Sequence, residues 1–422
     1  DRYHMSKQLK LTQSAIISIF ASAATMQLHA DFLEDSKTNL NLRNFYFDRS
    51  FDQERQPSFG SWTQGANLIF ESGYTDTPLQ VGIDASIRYA VLVDSEHRQT
   101  SDLIMPYDTA KGELKSNYTK YGITLKLKAG NTELKVGELL PRTPIVYFDE
   151  SRQLVTSLAG AILENKDIEN LKVTAGRITH SNARNDNKYR KLSLMAAGPV
   201  KESDGLNLLG LDYQLTSDLS SSYWFGQLED IYQQHYIGIN YKTQLNQAKV
   251  KFDLSYFYNK EDGDAYYGKI DSQALGGMTT FQYQNHLFTF GLQKNIGDSS
   301  FPLLTGYSPQ LYLQAWSILT FNNPEETIWH FSYIYDFKNW NLPGVKVRFA
   351  YHHGEGIQRP GLADNRESER VFSLLYNPNK SWLKGLGFEW RYTDANIKYG
   401  AGMQPGKSFV ENRLITSYTF KF

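Results

Sequence analysis

The chain contains no cysteine. That excludes a disulfide scaffold, thiol catalysis and cysteine-ligated metal. It has almost no net charge, with 44 basic side chains against 45 acidic ones, so a nucleic-acid footprint is missing. Past residue 30 no apolar run is long enough for a helical membrane span. Catalytic signatures are missing too: there is no G-x-S-x-G elbow and no glycine-rich phosphate loop before a helix. His352 and His353 fall on opposite faces of a strand and lack a matching carboxylate pair. No metal, no cofactor and no enzymatic activity are expected; loop carboxylates read as solvated. What the chain has in abundance is aromatic residues, 28 Tyr and 24 Phe, in a sequence whose mean hydropathy is negative. Alternating strands with aromatic girdles account for both properties.

The N-terminus reads as a separate object. Residues 1–4 precede Met5 and read as vector-derived. Residues 5–30 read as a signal peptide. Lys7 and Lys10 supply its positive start, Ala15 to Met26 its apolar centre, and Leu28-His-Ala30 a cleavage site before Asp31. Residues 31–422 form the expected single domain.

Alternating runs of about ten residues dominate that domain. In 38–48, Leu40, Leu42 and Tyr46 share one face, and Asn39, Asn41 and Arg43 the other. Ile83, Ala85, Ile87 and Tyr89 alternate with Asp84, Ser86 and Arg88; Ile123, Leu125 and Leu127 alternate with Thr124, Lys126 and Lys128. At the end of the chain, Leu414, Tyr418, Phe420 and Phe422 oppose Arg413, Ser417, Thr419 and Lys421. An edge strand of a soluble sandwich shows the same pattern, so the last strand alone does not decide. The connectors do. Short ones (165–170, 216–218, 244–247, 283–285, 338–341, 377–380) alternate with long polar ones (94–116, 139–155, 180–190, 297–325, 354–369, 396–410). Short periplasmic turns and long extracellular loops are the topology of a transmembrane antiparallel β-barrel. Pairing the runs gives about eighteen strands, the even number closure requires. The expected class is therefore all-β, with inward-folded loops narrowing the lumen.

Four stretches carry a family resemblance. The run from Asp31 to Arg49, Trp62-Thr-Gln-Gly65 with Glu71-Ser-Gly-Tyr74, Thr132 to Pro141, and Phe321 to Trp329 with Leu342-Pro-Gly344 occur in order. The chain resembles an OprD-type porin, of the outer-membrane carboxylate channel (Occ) family of Gram-negative bacteria. The resemblance implies an eighteen-stranded barrel in the outer membrane, a monomer with a trimer as the alternative. It implies contact with lipid and lipopolysaccharide, and insertion by the barrel machinery, with Phe422 as the periplasmic-end aromatic. It further implies passive diffusion of small carboxylate-bearing or zwitterionic solutes, notably amino acids and some antibiotics, guided by a lumenal basic row.

Strand parity nominates that row: Arg43, Arg49, Arg88, Arg348, Arg391 and Arg413. A guanidinium suits carboxylate guidance because it stays charged and donates two parallel hydrogen bonds. The alternative is that these arginines pair with lumenal carboxylates and simply fill a polar interior. The stretch from Pro141 to Arg152 is the expected constriction, with Arg142, Tyr147, Asp149, Glu150 and Arg152 supplying both signs of charge and an aromatic. Opposite charges across a narrow opening suit a zwitterion. Glu389 stands where the resemblance leads one to expect a second arginine, which points to tolerance of a cationic amine; Thr320 stands where the family has an acid, which also alters the local charge. The competing functions are a barrel hydrolase and a surface-binding barrel with a blocked lumen.

Overall fold

The computed structural model describes residues 30–52, 56–358, 365–380, 383–398 and 408–422. The expected vector-derived residues 1–4 and the expected signal peptide, apart from Ala30, lie outside the described residues. A short helix, Ala30–Glu34, precedes the first strand.

Eighteen antiparallel strands follow. The first six are β1 (Lys37–Phe51), β2 (Phe59–Glu71), β3 (Gln80–Asp94), β4 (Asn117–Ala129), β5 (Thr132–Leu139) and β6 (Ser157–Asn165). Then come β7 (Leu171–Asn182), β8 (Leu206–Gln214), β9 (Leu219–Leu228), β10 (Tyr232–Leu245), β11 (Ala248–Glu261) and β12 (Asp271–Tyr283). The last are β13 (His286–Ile296), β14 (Thr327–Asp336), β15 (Val345–Glu355), β16 (Arg366–Tyr376), β17 (Leu386–Lys398) and β18 (Phe409–Lys421). Each pairs with its sequence neighbours, and β18 pairs with β1, with Leu40 opposite Phe420 and Phe47 opposite Arg413. The sheet closes, so its strands leave no unpaired edge. A two-residue piece, Arg190–Lys191, adds to β7.

The closing turns at the periplasmic end are built from residues that accept a left-handed backbone. Two-residue turns join β4 to β5, β10 to β11 and β12 to β13, and their first central residues, Gly130, Asn246 and Gln284, have φ of 57°, 54° and 50°. Such turns follow the right-handed twist of the flanking strands. At the opposite end the connectors are less uniform than the sequence suggests. Long ones are present, but β9 joins β10 through residues 229–231 alone, and 52–58 and 262–270 are also short. The loop expected at 180–190 runs from 183 to 205.

The two faces of the wall differ as the period of two demands. Leu42, Ile87, Ile123, Ile237, Leu254 and Leu292 are exposed on the outside, the apolar band expected of a transmembrane barrel. Tyr418, Phe420 and Phe422 stack along the periplasmic end of β18, with centroids 4.7 and 6.5 Å apart. Inside, loops fold inward and fill part of the lumen. Ile145 and Val146 from the loop after β5, and Phe301, Leu303, Leu304 and Leu313 from the loop after β13, pack on Leu158, Leu208, Trp224, Tyr236 and Phe257 of the wall. Gly226 makes room for this packing, since a Cβ there would lie 2.4 Å from the Ile145 side chain. The inward-folded loops therefore have a hydrophobic seat on the wall.

Candidate functional site

Register across the wall formed by β15 to β18 and β1 places the arginines. Arg348 on β15 is opposite Ser373, Ser373 opposite Arg391, Arg391 opposite Arg413, and Arg413 opposite Phe47. Like charges directly opposite one another repel. Two acids on the same strands offset this: Arg391 bonds Glu389 with Nε–Oε1 2.8 Å, and Arg413 bonds Glu411. Glu411 is fully buried and also accepts from Arg49. Phe47 fills the space among these cations. The guanidiniums of Arg49, Arg152 and Arg413 lie 5.9, 5.2 and 5.6 Å from its ring centre. The negative face of an aromatic ring lets cations gather without a carboxylate for each.

The loop after β5 crosses the lumen opposite this wall. It is held at several points by the loop after β13: Gln310 Nε2 donates to Pro144 O at 2.8 Å, Ser308 Oγ to Tyr147 O at 2.6 Å, and Tyr312 OH to Arg142 O at 3.2 Å. From the wall, Arg43 Nη1 donates to Arg152 O at 2.6 Å, and Gln153 Nε2 returns a bond to Arg43 O. Lys120, 1 % exposed, donates to three carbonyls, Val155, Asn182 and Ala183, at the roots of two loops.

Between loop and wall lies a cavity of about 480 Å³. Arg49, Arg348, Arg391 and Arg413 line it from the wall, and Arg152 and Arg184 from the loops, against only Asp149 and Glu150. Tyr147, Phe148, Leu311, Trp316 and Ile318 make its other side apolar. Asp149 is not free: Arg184 Nη1 donates to its Oδ2 at 2.7 Å. Burial pushes this carboxyl up, but Arg184, the Ser151 hydrogen bond and Arg152 outweigh burial and hold it below the usual carboxylate range. Arg152 is disfavoured as a cation by burial and by Arg413 and Arg184. It bonds Ser151 and, among the described residues, makes no ion pair. Arg348 has neither a hydrogen bond nor an ion pair with any described residue.

The remaining expected residues sit elsewhere. Arg43 is lumenal but is spent on the constriction loop, four residues along β1 from the position facing Arg413. Arg413 is 3 % exposed and lines the arginine cavity, whereas Arg43 does not. Arg88 lines a second cavity of about 460 Å³, where it forms a two-pronged bond to Glu138 at 2.5 and 3.0 Å. Arg142 also lines that cavity and makes an exposed pair with Glu150 at 3.3 Å. Thr320 bonds Asn322 at 2.6 Å and lines the arginine cavity. His352 is stacked on His330, 4.8 Å between ring centres, beneath Phe321, while His353 faces outward against Trp329. Among the described residues no group of ligands is arranged to hold a metal. The residues that sequence reasoning missed are Arg184, Glu411, Phe47 and Lys120. Glu411 shares Arg413's parity, which was the available signal; Arg184 lies in a loop, where parity gives none.

Comparison with known proteins bears on this arrangement. Residues 30–422 match the family described as "outer membrane porin, OprD family". The porin-like protein GalP of Pseudomonas putida is 28% identical over 408 residues, covering 96% of this chain and 97% of its own. The crystal structure of Acinetobacter baumannii OccAB4 is 35% identical with a TM-score of 0.87, over 92% of this chain and 98% of that one. Pseudomonas aeruginosa OpdK, crystallised with vanillate, is 30% identical with a TM-score of 0.86, over 93% of this chain and 100% of that one.

Proposed function

Because this chain belongs to the OprD family of outer-membrane porins, passive channels rather than enzymes, we propose that it selects small carboxylate-bearing solutes at the arginine cavity. Selective diffusion requires charges that attract without trapping, in a narrowed aqueous path. Arg348 is the observation that carries this reading. It lines the cavity with its guanidinium uncommitted to any described protein acceptor, beside Arg391 and Arg152. An incoming carboxylate supplies the missing acceptor, and the two planar groups match in a two-pronged bond. The neighbouring arginines, each partly committed, attract the anion over a longer range and let it leave. Vanillate, bound by the related OpdK, is a carboxylate of suitable size.

Amino acids fit the same site with the carboxylate toward Arg348. Their amine then faces Glu389 or Glu150, whose pairs with Arg391 and Arg142 are more exposed than the buried pair of Asp149 with Arg184. The chain is read as working as a monomer in contact with lipid and lipopolysaccharide. Planar-bilayer recording tests the reading: an anion-preferring current is expected, together with liposome swelling by monocarboxylates and amino acids. A sealed protein without current, or a cation-preferring one, overturns it.

A further inference from the structure

Arg184 stands where four extracellular connections meet. It belongs to the 183–205 loop, and its Nε donates to Leu103 O at 3.1 Å in the 95–116 loop. Its Nη1 donates to Asp149 Oδ2 at 2.7 Å in the constriction loop, and its backbone N–H donates to Thr156 Oγ1 at 3.0 Å. Its guanidinium lies 4.0 Å from the ring centre of Tyr307, in the loop after β13. Behind it, Tyr118 OH on β4 donates to Arg184 O at 2.5 Å and lies 3.1 Å from Ile104 O. The pair Arg184–Asp149 is buried on both sides, with 8 and 5 % of the side chains exposed. Nevertheless both residues line the arginine cavity.

We propose that Arg184 is the positioning residue that sets the sign of the constriction: it gathers the four loops and cancels Asp149, the one buried carboxylate on the loop side of the cavity. This rests on the anion-selective reading above. With Asp149 cancelled, Arg152, Arg348 and Arg391 present a net positive field to the solute. Without Arg184, Asp149 becomes an anion in the cavity lining without its ion-pair partner. One unit charge at about 6 Å in a water-like medium changes ion preference about threefold.

A charge cycle reads this directly. Reversal potentials are measured under a salt gradient for Arg184→Met, Asp149→Asn and the double variant, with folding checked by the far-ultraviolet β signal and heat-modifiable mobility. Arg184→Met is expected to lower anion preference about threefold, Asp149→Asn to raise it by a similar factor, and the double variant to return near the starting value. Arg184→Lys retains the charge and loses the Leu103 and Tyr307 contacts. It is expected to keep the preference while adding current fluctuations as the loops loosen. If the double variant resembles Arg184→Met, Arg184 acts as a direct solute contact and the inference falls. If Arg184→Met does not fold, Asp149→Asn alone decides: a rise supports the inference, and no change or a fall overturns it. An unsubstituted channel without anion preference overturns the proposed function instead, because the cycle is scored by shifts relative to that channel.

Discussion

The two cavities in this lumen are similar in size and both rich in ionised groups, yet they balance charge differently. In the cavity lined by β2 to β7, most of the ionised groups have a close partner of opposite sign. Arg88 takes Glu138, Asp84 takes Lys126, Lys135 takes Glu133, and Lys172 sits between Glu164 and Asp212. In the cavity against β15 to β18 and β1, Arg49 and Arg413 share the single Glu411, Arg152 has no carboxylate, and Arg348 has no protein acceptor at all among the described residues. The first arrangement holds a wall together. The second leaves attraction unspent, and only unspent attraction can act on a passing solute. An arginine pointing into the lumen is therefore not by itself a guide; its partners decide.

Breaking the balanced cavity should cost the most. Arg88→Met leaves Glu138 buried without its two-pronged partner and is expected to destabilise the barrel by about 3–5 kcal/mol. Denaturant unfolding in detergent measures it; Arg348→Met, with no bond to lose, should stay within about 1 kcal/mol. Reversing a charge in the unbalanced cavity comes next. Arg391→Glu changes the local charge by two units, so anion preference in reversal-potential measurements should fall roughly tenfold. Raising the salt from about 0.1 to about 1 M shortens the screening length from about 10 to about 3 Å, so the preference of the unsubstituted channel should weaken but not vanish.

Acidity provides the smallest effect. Asp149 is held below its ordinary range, so its pair with Arg184 contributes fully above the ordinary carboxylate value of about 3.9 and is lost only as pH falls through the lower folded value. Anion preference due to this pair is thus expected to stay flat from neutrality down to about pH 4. It should rise below that, as protonated Asp149 releases Arg184. A drop in preference on acidification would contradict the pairing.

Much of the barrel was legible because the side-chain period is two and lipid enforces it. Ile123, Leu125 and Leu127 read as outward, and Ile123 and Leu125 are exposed there. Parity also put Arg348, Arg391 and Arg413 on one lumenal wall. It could not show that Phe45 and Phe47, on the same parity as Arg43, would be buried. That pattern makes sense only once the loops are known to fill part of the lumen, and a loop's path leaves no periodic trace. For the same reason Arg184 was invisible: its four partners come from segments far apart in sequence. Arg43 and Arg88 point inward as read, but their partners, a loop carbonyl and Glu138, lie across connections that a one-strand pattern does not contain.

The central claim is that an uncommitted guanidinium, and not lumenal basicity in general, selects the solute. The reversal potential of Arg348→Ala in a carboxylate salt gradient tests it most directly. The predicted result is a loss of about threefold in carboxylate-over-cation preference, the effect of removing one charge near the path. A preference equal to that of the unsubstituted channel would contradict the account.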